Sequence, residues 1–135
     1  MIGLSHKELI SFQEVNRYID DGYKIILFEE SNTPVSLLVY REYAGNTDLL
    51  LENTYEIILF EVSKVTCGRG RGIGKDTIEY FKNNIATEKD ICGYSICEAA
   101  PFWYDVSTEV DEEVYEYLKE DDFNGDAMMY FRIKR

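Results

Sequence analysis

Histidine and cysteine are scarce in this chain of 135 residues: His6 is the only imidazole, and the thiols are Cys67, Cys92 and Cys97. There is no Cys-x-x-Cys pair, and a zinc site would have to be completed by carboxylates at spacings that do not suggest one, so no metal is expected. An odd set of thiols suits a reducing compartment better than a disulfide scaffold, and the three are read as buried. Long apolar runs are missing too. Nothing approaches the roughly 20 apolar residues that cross a bilayer, and Met1–His6 has no basic-then-apolar leader, so a soluble cytoplasmic protein without a membrane partner is expected. Basic side chains are few, 14 Lys and Arg against 26 Asp and Glu, for a net charge of −12. That balance repels a phosphate backbone, which argues against nucleic acid, and favours a cationic amine, a polyamine or a basic protein segment. Internal repeats and low-complexity segments are also absent.

What is present is enough apolar content, 45%, to bury one sizeable core, and a single domain over 1–135 is expected. Ser5-His6-Lys7-Glu8 has the form of a capping box, and Leu9, Phe12, Val15 and Ile19 follow at near-helical spacing. A helix is therefore expected over about 6–20, stopped at Asp21-Gly22. Lys24–Glu29 and Val35–Tyr40 read as the strands of a hairpin around Ser31-Asn32-Thr33-Pro34. After a loop at Ala44–Asp48 and a short Leu49–Leu51 run, the apolar stretch Tyr55–Val62 reads as a strand buried on both faces. Helical spacing resumes from Asp76 to about Ile85, followed by a strand at Ile91–Cys97, an acidic helix at Val110–Leu118 and a last strand at Ala127–Ile133. Mixed hairpins and helices of this kind point to an α+β or mixed α/β layer fold, with a strand order that periodicity does not reveal.

Between the buried strand and the helix lie glycines 68, 70, 72 and 74. Glycine permits positive φ and lets a ligand approach the backbone, while the helix that follows offers unpaired N–H groups and the positive end of its dipole. Successive N–H groups in such a turn suit a pyrophosphate, and Arg69, Arg71 and Lys75 add positive charge in an acidic chain. A Walker A loop fails here, because Arg69 stands where glycine is required and Asp76 where Ser or Thr is required. The Rossmann G-x-G-x-x-G fails as well, at Ile73 or at Lys75 depending on the starting glycine.

Arg69-Gly70-Arg71-Gly72-Ile73-Gly74 resembles the R/Q-x-x-G-x-G/A acetyl-coenzyme A loop of the Gcn5-related N-acetyltransferase (GNAT) family. Tyr55–Val62 is similar to the family's strand ahead of that loop, and Ala99-Ala100-Pro101-Phe102-Trp103-Tyr104 to its A-x-x-F-Y/W segment. Order and spacing agree over residues 55–104. The resemblance implies a GNAT-like acyl-CoA N-acyltransferase fold, a central mixed, mostly antiparallel sheet flanked by helices. It also implies acetyl-CoA as cosubstrate and an amine acceptor that attacks the thioester directly. Outside that core the chain departs from the family: the N-terminal part is shortened, and the acidic segment Glu109–Asp122 replaces a lysine-rich turn.

By the resemblance, the cofactor would be held by Arg69, Gly70, Arg71, Gly72, Ile73, Gly74 and Lys75, with the backbone of Val62 and the ring of Phe102 beside it. The protonated amine needs a base. The resemblance implies a Glu in the strand, and Glu56, a carboxylate set among Ile and Leu, is expected to have its pKa raised toward neutrality; Glu61 is the alternative. The family's tyrosine, which donates a proton to the departing thiolate, is replaced by Trp103, and Tyr104 next to it is the candidate acid. A monomer and a homodimer both remain open. The rival expectation is a binding module on the same fold, catalytically weak or inactive, whose acidic surface engages a basic protein partner.

Overall fold

The computed structural model describes residues 12–43, 54–62 and 72–135. The capping box at Ser5–Glu8, the loop at 44–48, the Leu49–Leu51 run, Cys67 and the first part of the glycine loop, including Arg69, Gly70 and Arg71, lie outside the described residues. In chain order the elements are α1 (Phe12–Asp20), β1 (Lys24–Glu30), β2 (Thr33–Tyr43), β3 (Thr54–Val62), α2 (Ile73–Asn84) and β4 (Asp90–Ser95). A 3₁₀ turn at Cys97–Ala99 leads into α3 (Ala100–Val106), β5 (Glu109–Val110), α4 (Glu112–Glu120) and β6 (Met129–Ile133).

The local signals act where the residues demand it. Gly22 takes φ 89° and closes α1, with the Tyr23 N–H donating to the Tyr18 carbonyl at 3.0 Å. Ser31 and Asn32 sit at φ 52° and 65° between the paired Glu30 and Thr33, a tight mirror-image turn whose twist matches that of the strands it joins. The acidic helix begins later than the periodicity predicts. Asp111 caps it by accepting from the Val114 N–H at 3.2 Å, and Glu109–Val110 pair instead with Arg132 and Phe131 as a short edge strand. Residues 100–106, carrying the Phe-Trp-Tyr run, form a helix with Pro101 in its first turn, where a missing N–H costs no intrahelical bond.

One sheet with order β1-β2-β3-β4-β6-β5 carries these elements, antiparallel except for the central β3–β4 pair. On one face, Leu38, Tyr40, Ile57, Phe60, Ile91 and Phe131 pack under Ile78 and Phe81 of α2, Trp103 of α3 and Leu118 of α4. Trp103 stacks on Phe131 with centroids 4.1 Å apart, and Phe81 meets Tyr40 edge to face at 4.9 Å. Thr77 donates its hydroxyl proton to the Ile73 carbonyl at 2.8 Å, so the buried Ser36 hydroxyl, 2.7 Å away, is the donor that ties β2 to α2. Val35, Leu37, Val39 and Leu59, all buried, alternate onto the opposite face. β3 is less uniformly buried than its apolar run predicts: Thr54, Ile57, Leu59 and Phe60 are buried, whereas Glu56 and Glu61 are half-buried.

Two features of β3 shape the sheet around it. Val39 pairs with Leu59 but Tyr40 with Ile57, so Ile58 is an extra residue, a bulge that bends the strand. The parallel ladder with β4 runs from Thr54–Asp90 to Ile57–Gly93 and stops there, while β3 continues in register with β2 to Val62. The two central strands therefore part at the bulge.

The C-terminal strand is clamped to β4 by Asp90, which accepts from Arg132 Nε at 2.8 Å and from the Arg135 backbone N–H at 2.9 Å. Burial pushes the Asp90 carboxyl up, but these donors outweigh it and hold it below the ordinary 3.8. A carboxylate with a lowered folded-state pKa adds stability that is present above the unfolded value and is lost as pH falls through the folded one. Asp90→Asn is expected to lower stability at pH 7 by about 1–2 kcal/mol, the usual worth of charge-assisted bonds. In urea unfolding followed from pH 7 to pH 2, the gap between parent and variant should close below about pH 4.

Candidate active site at the parting of the central strands

Gly72 opens α2 in the left-handed region, φ 73° and ψ 17°, where a Cβ would be strained although no described residue stands within 4 Å of its position. Gly72, at the N-cap, has no side chain to cap the helix, and the first intrahelical bond is that of the Asp76 N–H to the Gly72 carbonyl at 2.9 Å. The N–H groups of Ile73, Gly74 and Lys75 precede that bond and point out of the first turn without an intrahelical acceptor. Helical periodicity predicts a start at Asp76, whereas the helix begins at Ile73, so these three residues form its first turn. Lys75 pairs with Asp105 of α3 at 2.6 Å, both side chains well exposed.

Gly74 has a different role from Gly72. A Cβ there would lie 2.9 Å from Phe102 Cε1, so the missing side chain lets α2 settle on α3. Phe102 in turn leans on Phe60 of β3 and on Trp103, at centroid distances of 5.8 and 5.0 Å. Phe102 and Val62 both pack against the main core, and Val62 stands at the last pair of the β2–β3 ladder, opposite Ser36. Val62, Gly72, Ile73, Gly74 and Phe102 thus belong to the helix-covered side of the sheet.

Glu56 looks out of the other face. It stands at a register position shared by Arg41, Cys92, Arg132 and Glu109 on the strands to either side. Arg41 Nε donates to its carboxylate at 2.8 Å, and the Glu56 side chain is only 13% exposed, so this is a central-strand carboxylate held in place rather than one at a solvated edge. Cys92, its neighbour on β4, is buried, and burial pushes the thiol up to about 11, which leaves it inert. Glu61 is half-buried on the same face, opposite Leu37.

Tyr104 is not brought beside Glu56. It belongs to α3, on the helix-covered side, and its ring stacks on Tyr115 of α4 at 3.9 Å. The Glu112 carboxylate next to it raises its phenol above the ordinary 10.0. Trp103 is fully buried, and its indole N–H has no hydrogen-bond partner among the described residues. Spacing along the chain did not single out Arg41, Tyr94, Tyr130 or Arg132, which share the face of Glu56. The alternation of β4, with Ile91 and Gly93 facing the helices and Cys92 and Tyr94 facing away, is the signal that could have found the β4 member of that set.

No group of three or more His, Cys, Asp or Glu side chains that could hold a metal gathers among the described residues. No helix among them is long and apolar enough to cross a membrane.

No protein-family model matches the chain, and no curated protein matches it. Solved structures do. N-acetylglutamate synthase from Neisseria gonorrhoeae, complexed with coenzyme A and N-acetyl-glutamate, superposes with a TM-score of 0.61 at 11% identity over 94% of this chain, which spans 28% of that protein. A candidate streptothricin acetyltransferase from Bacillus anthracis in complex with acetyl coenzyme A gives a TM-score of 0.56 at 21% identity, covering 96% of this chain and 70% of that one. A GNAT family acetyltransferase from Elizabethkingia anophelis with acetyl-CoA bound gives 0.52 at 16% identity, covering 93% and 84%. The chain has the GNAT acetyltransferase fold, as the glycine loop and its flanking segments led one to expect.

The contact between Gly74 and Phe102 generates a prediction. Alanine gains about 1 kcal/mol over glycine in a helix, but forcing a methyl into a ring held by Phe60 and Trp103 costs roughly 1–3 kcal/mol. Gly74→Ala should therefore lower stability by about 1 kcal/mol in denaturant unfolding, and Gly74→Ala with Phe102→Leu should cost less than the sum of the two single changes.

Proposed function

We propose that this chain is an acetyl-CoA-dependent N-acetyltransferase that acts on a primary amine by direct attack in a ternary complex. The observation that carries the proposal is the start of α2 at the left-handed Gly72, which brings no capping side chain, at the end of the sheet where β3 leaves β4. Solved structures of the same fold contain coenzyme A or acetyl-CoA, which adds support.

The residues present fit such a ligand. No described residue crowds the Gly72 position, and the N–H groups of Ile73, Gly74 and Lys75 suit a pyrophosphate at a helix N-terminus. Arg69, Gly70 and Arg71 would complete the anion-binding turn, the backbone N–H of Val62 would polarise an amide or thioester carbonyl, and Phe102 would form a wall beside them. When bound, acetyl-CoA supplies an activated acetyl group: the amine nitrogen bonds to the carbonyl carbon, the C–S bond breaks with its electron pair on sulfur, and the thiolate takes a proton to become the free thiol. Glu56 would accept the proton lost by the amine, oriented for that task by Arg41, with Glu61 as the alternative base. Tyr104, turned toward Glu112 and Tyr115, is a poor candidate for returning a proton to sulfur, and water is the better donor. Most of the rate would come from holding the two substrates together. The net charge of −12 favours a cationic acceptor.

Two variants test the two halves of the site by calorimetry and steady-state rates. The parent should bind acetyl-CoA with micromolar affinity, and Lys75→Glu, which reverses a charge at the helix start without touching the left-handed Gly72, should weaken binding at least tenfold, the equivalent of about 1.4 kcal/mol. Glu56→Gln keeps an acceptor for Arg41, so it should fold and bind acetyl-CoA like the parent while kcat falls by about 10²–10³. A well-folded parent that binds no acetyl-CoA would leave the second reading, a binding module of this fold whose acidic surface engages a basic protein. The burial of Trp103 and the outward turn of Tyr104 are the observations in its favour.

A further inference from the structure

Beyond Glu56, the sheet face opposite α2 and α3 carries an exposed aromatic patch. Tyr94 of β4 and Tyr130 of β6 are cross-strand partners whose rings meet edge to face at 5.4 Å and 62°. Tyr94 is 49% exposed, and Met128, just ahead of β6, is 45% exposed. Tyr94 follows Cys92 by one alternation on β4, and Cys92 is the register partner of Glu56, so the patch begins within one pleat of that carboxylate. It also lies just past Gly93, where the β3–β4 ladder ends.

Three cations of this face are each paired with a carboxylate. Arg41 is paired with Glu56, Arg132 with Asp90 and Lys134 with Glu109. The acidic excess of the chain is displayed elsewhere, on the exposed Glu112, Glu113, Glu116 and Glu120 of α4 and on Asp121 and Asp122 after it. Of the carboxylates described on this face, Asp90 and Glu109 are engaged by Arg132 and Lys134 and Glu61 is half-buried, so a linear polycation finds few exposed carboxylates beside Glu56, and its methylenes would leave most of the two rings and the thioether in water. A planar ring on a short linker would continue the edge-to-face packing of Tyr94 and Tyr130 and set its nitrogen on the Glu56 side.

Building on the acetyltransferase reading, we propose that Tyr94, Tyr130 and Met128 form the acceptor platform, and that the acceptor class is a primary amine carrying an aromatic ring on a short linker rather than a linear polyamine. Tyr94 is then the specificity-determining residue, with Tyr130 backing it; its hydroxyl is hydrogen-bonded to Arg132.

Initial rates on the full chain with 2-phenylethylamine, n-butylamine and spermidine, at saturating acetyl-CoA, test this. The parent should prefer 2-phenylethylamine in kcat/KM by about tenfold, the value expected of one ring stack with a cation nearby. Tyr94→Ala should abolish that preference by raising KM for 2-phenylethylamine about tenfold more than KM for n-butylamine, with the acetyl-CoA affinity kept, and Tyr94→Phe should restore it. Equal use of the three amines, a preference for spermidine, or an equal loss on all amines in Tyr94→Ala would overturn the platform while leaving the transferase intact. A folded parent that neither binds nor turns over acetyl-CoA would overturn the transferase reading instead. In that case calorimetric titration of 2-phenylethylamine alone decides: saturable binding lost in Tyr94→Ala and kept in Tyr94→Phe upholds the platform, and its absence removes it.

Discussion

The arrangement turns on the unequal support of β3. Along its whole length it is bonded to β2, but β4 accompanies it only to Ile57, and the bulge at Ile58 bends it at that point. A strand held on both sides would present only side chains to a ligand; one that leaves its neighbour can present backbone as well. The bend also sorts side chains, since Ile57 and Phe60 still reach the core under α2 and α3 while Glu56 and Glu61 stay on the other face. Cofactor-side and acceptor-side candidates thus issue from one strand and point in opposite directions.

Aromatic packing keeps the helix-covered side rigid enough to aim α2. Trp103 stacks on Phe131, Phe102 bridges to Phe60, and Gly74 gives up its side chain so that Phe102 can lie against the first helical turn. The start of α2 is therefore positioned by β3 and α3 together. The buried indole N–H of Trp103, without a partner among the described residues, carries a desolvation cost that the ring's packing on Phe60, Phe102 and Phe131 offsets. Around Glu56 on the far face the surroundings are polar: it pairs with Arg41, two further ion pairs and a buried thiol lie in line with it, and Tyr94 and Tyr130 follow one pleat on.

Much of the local structure was legible in the sequence. Gly22 as a helix stop, the hairpin at Ser31-Asn32, β3 as the strand before a glycine turn, and α2 after it all follow from short-range chemistry, in which a residue's own dihedral limits or its neighbours at three and four positions decide. The late start of the acidic helix has one local and one long-range cause. Asp111 is a better N-cap than Glu109, which precedes the predicted start at Val110, and Glu109–Val110 are claimed by β6, a partner some twenty residues away that no window of helical periodicity contains. The helix at 100–106 is too short for its period to stand out against a run of three aromatic residues.

The sequence by itself determined the glycines that open α2, the charge balance, and the likeness of residues 55–104 to an acetyl-CoA-binding core, because each depends on contiguous residues. Only the tertiary structure decided which side chains share a face. Register across four strands places Arg41, Cys92 and Arg132 in line with Glu56, and Tyr94 beside Tyr130, although these residues are spread over more than ninety positions of chain. It also turned Tyr104 toward α4 and away from Glu56. The physical reason is the same for both: a strand's neighbours are chosen by hydrogen-bond pairing and by the burial of one face, and neither is written in the spacing of any one segment.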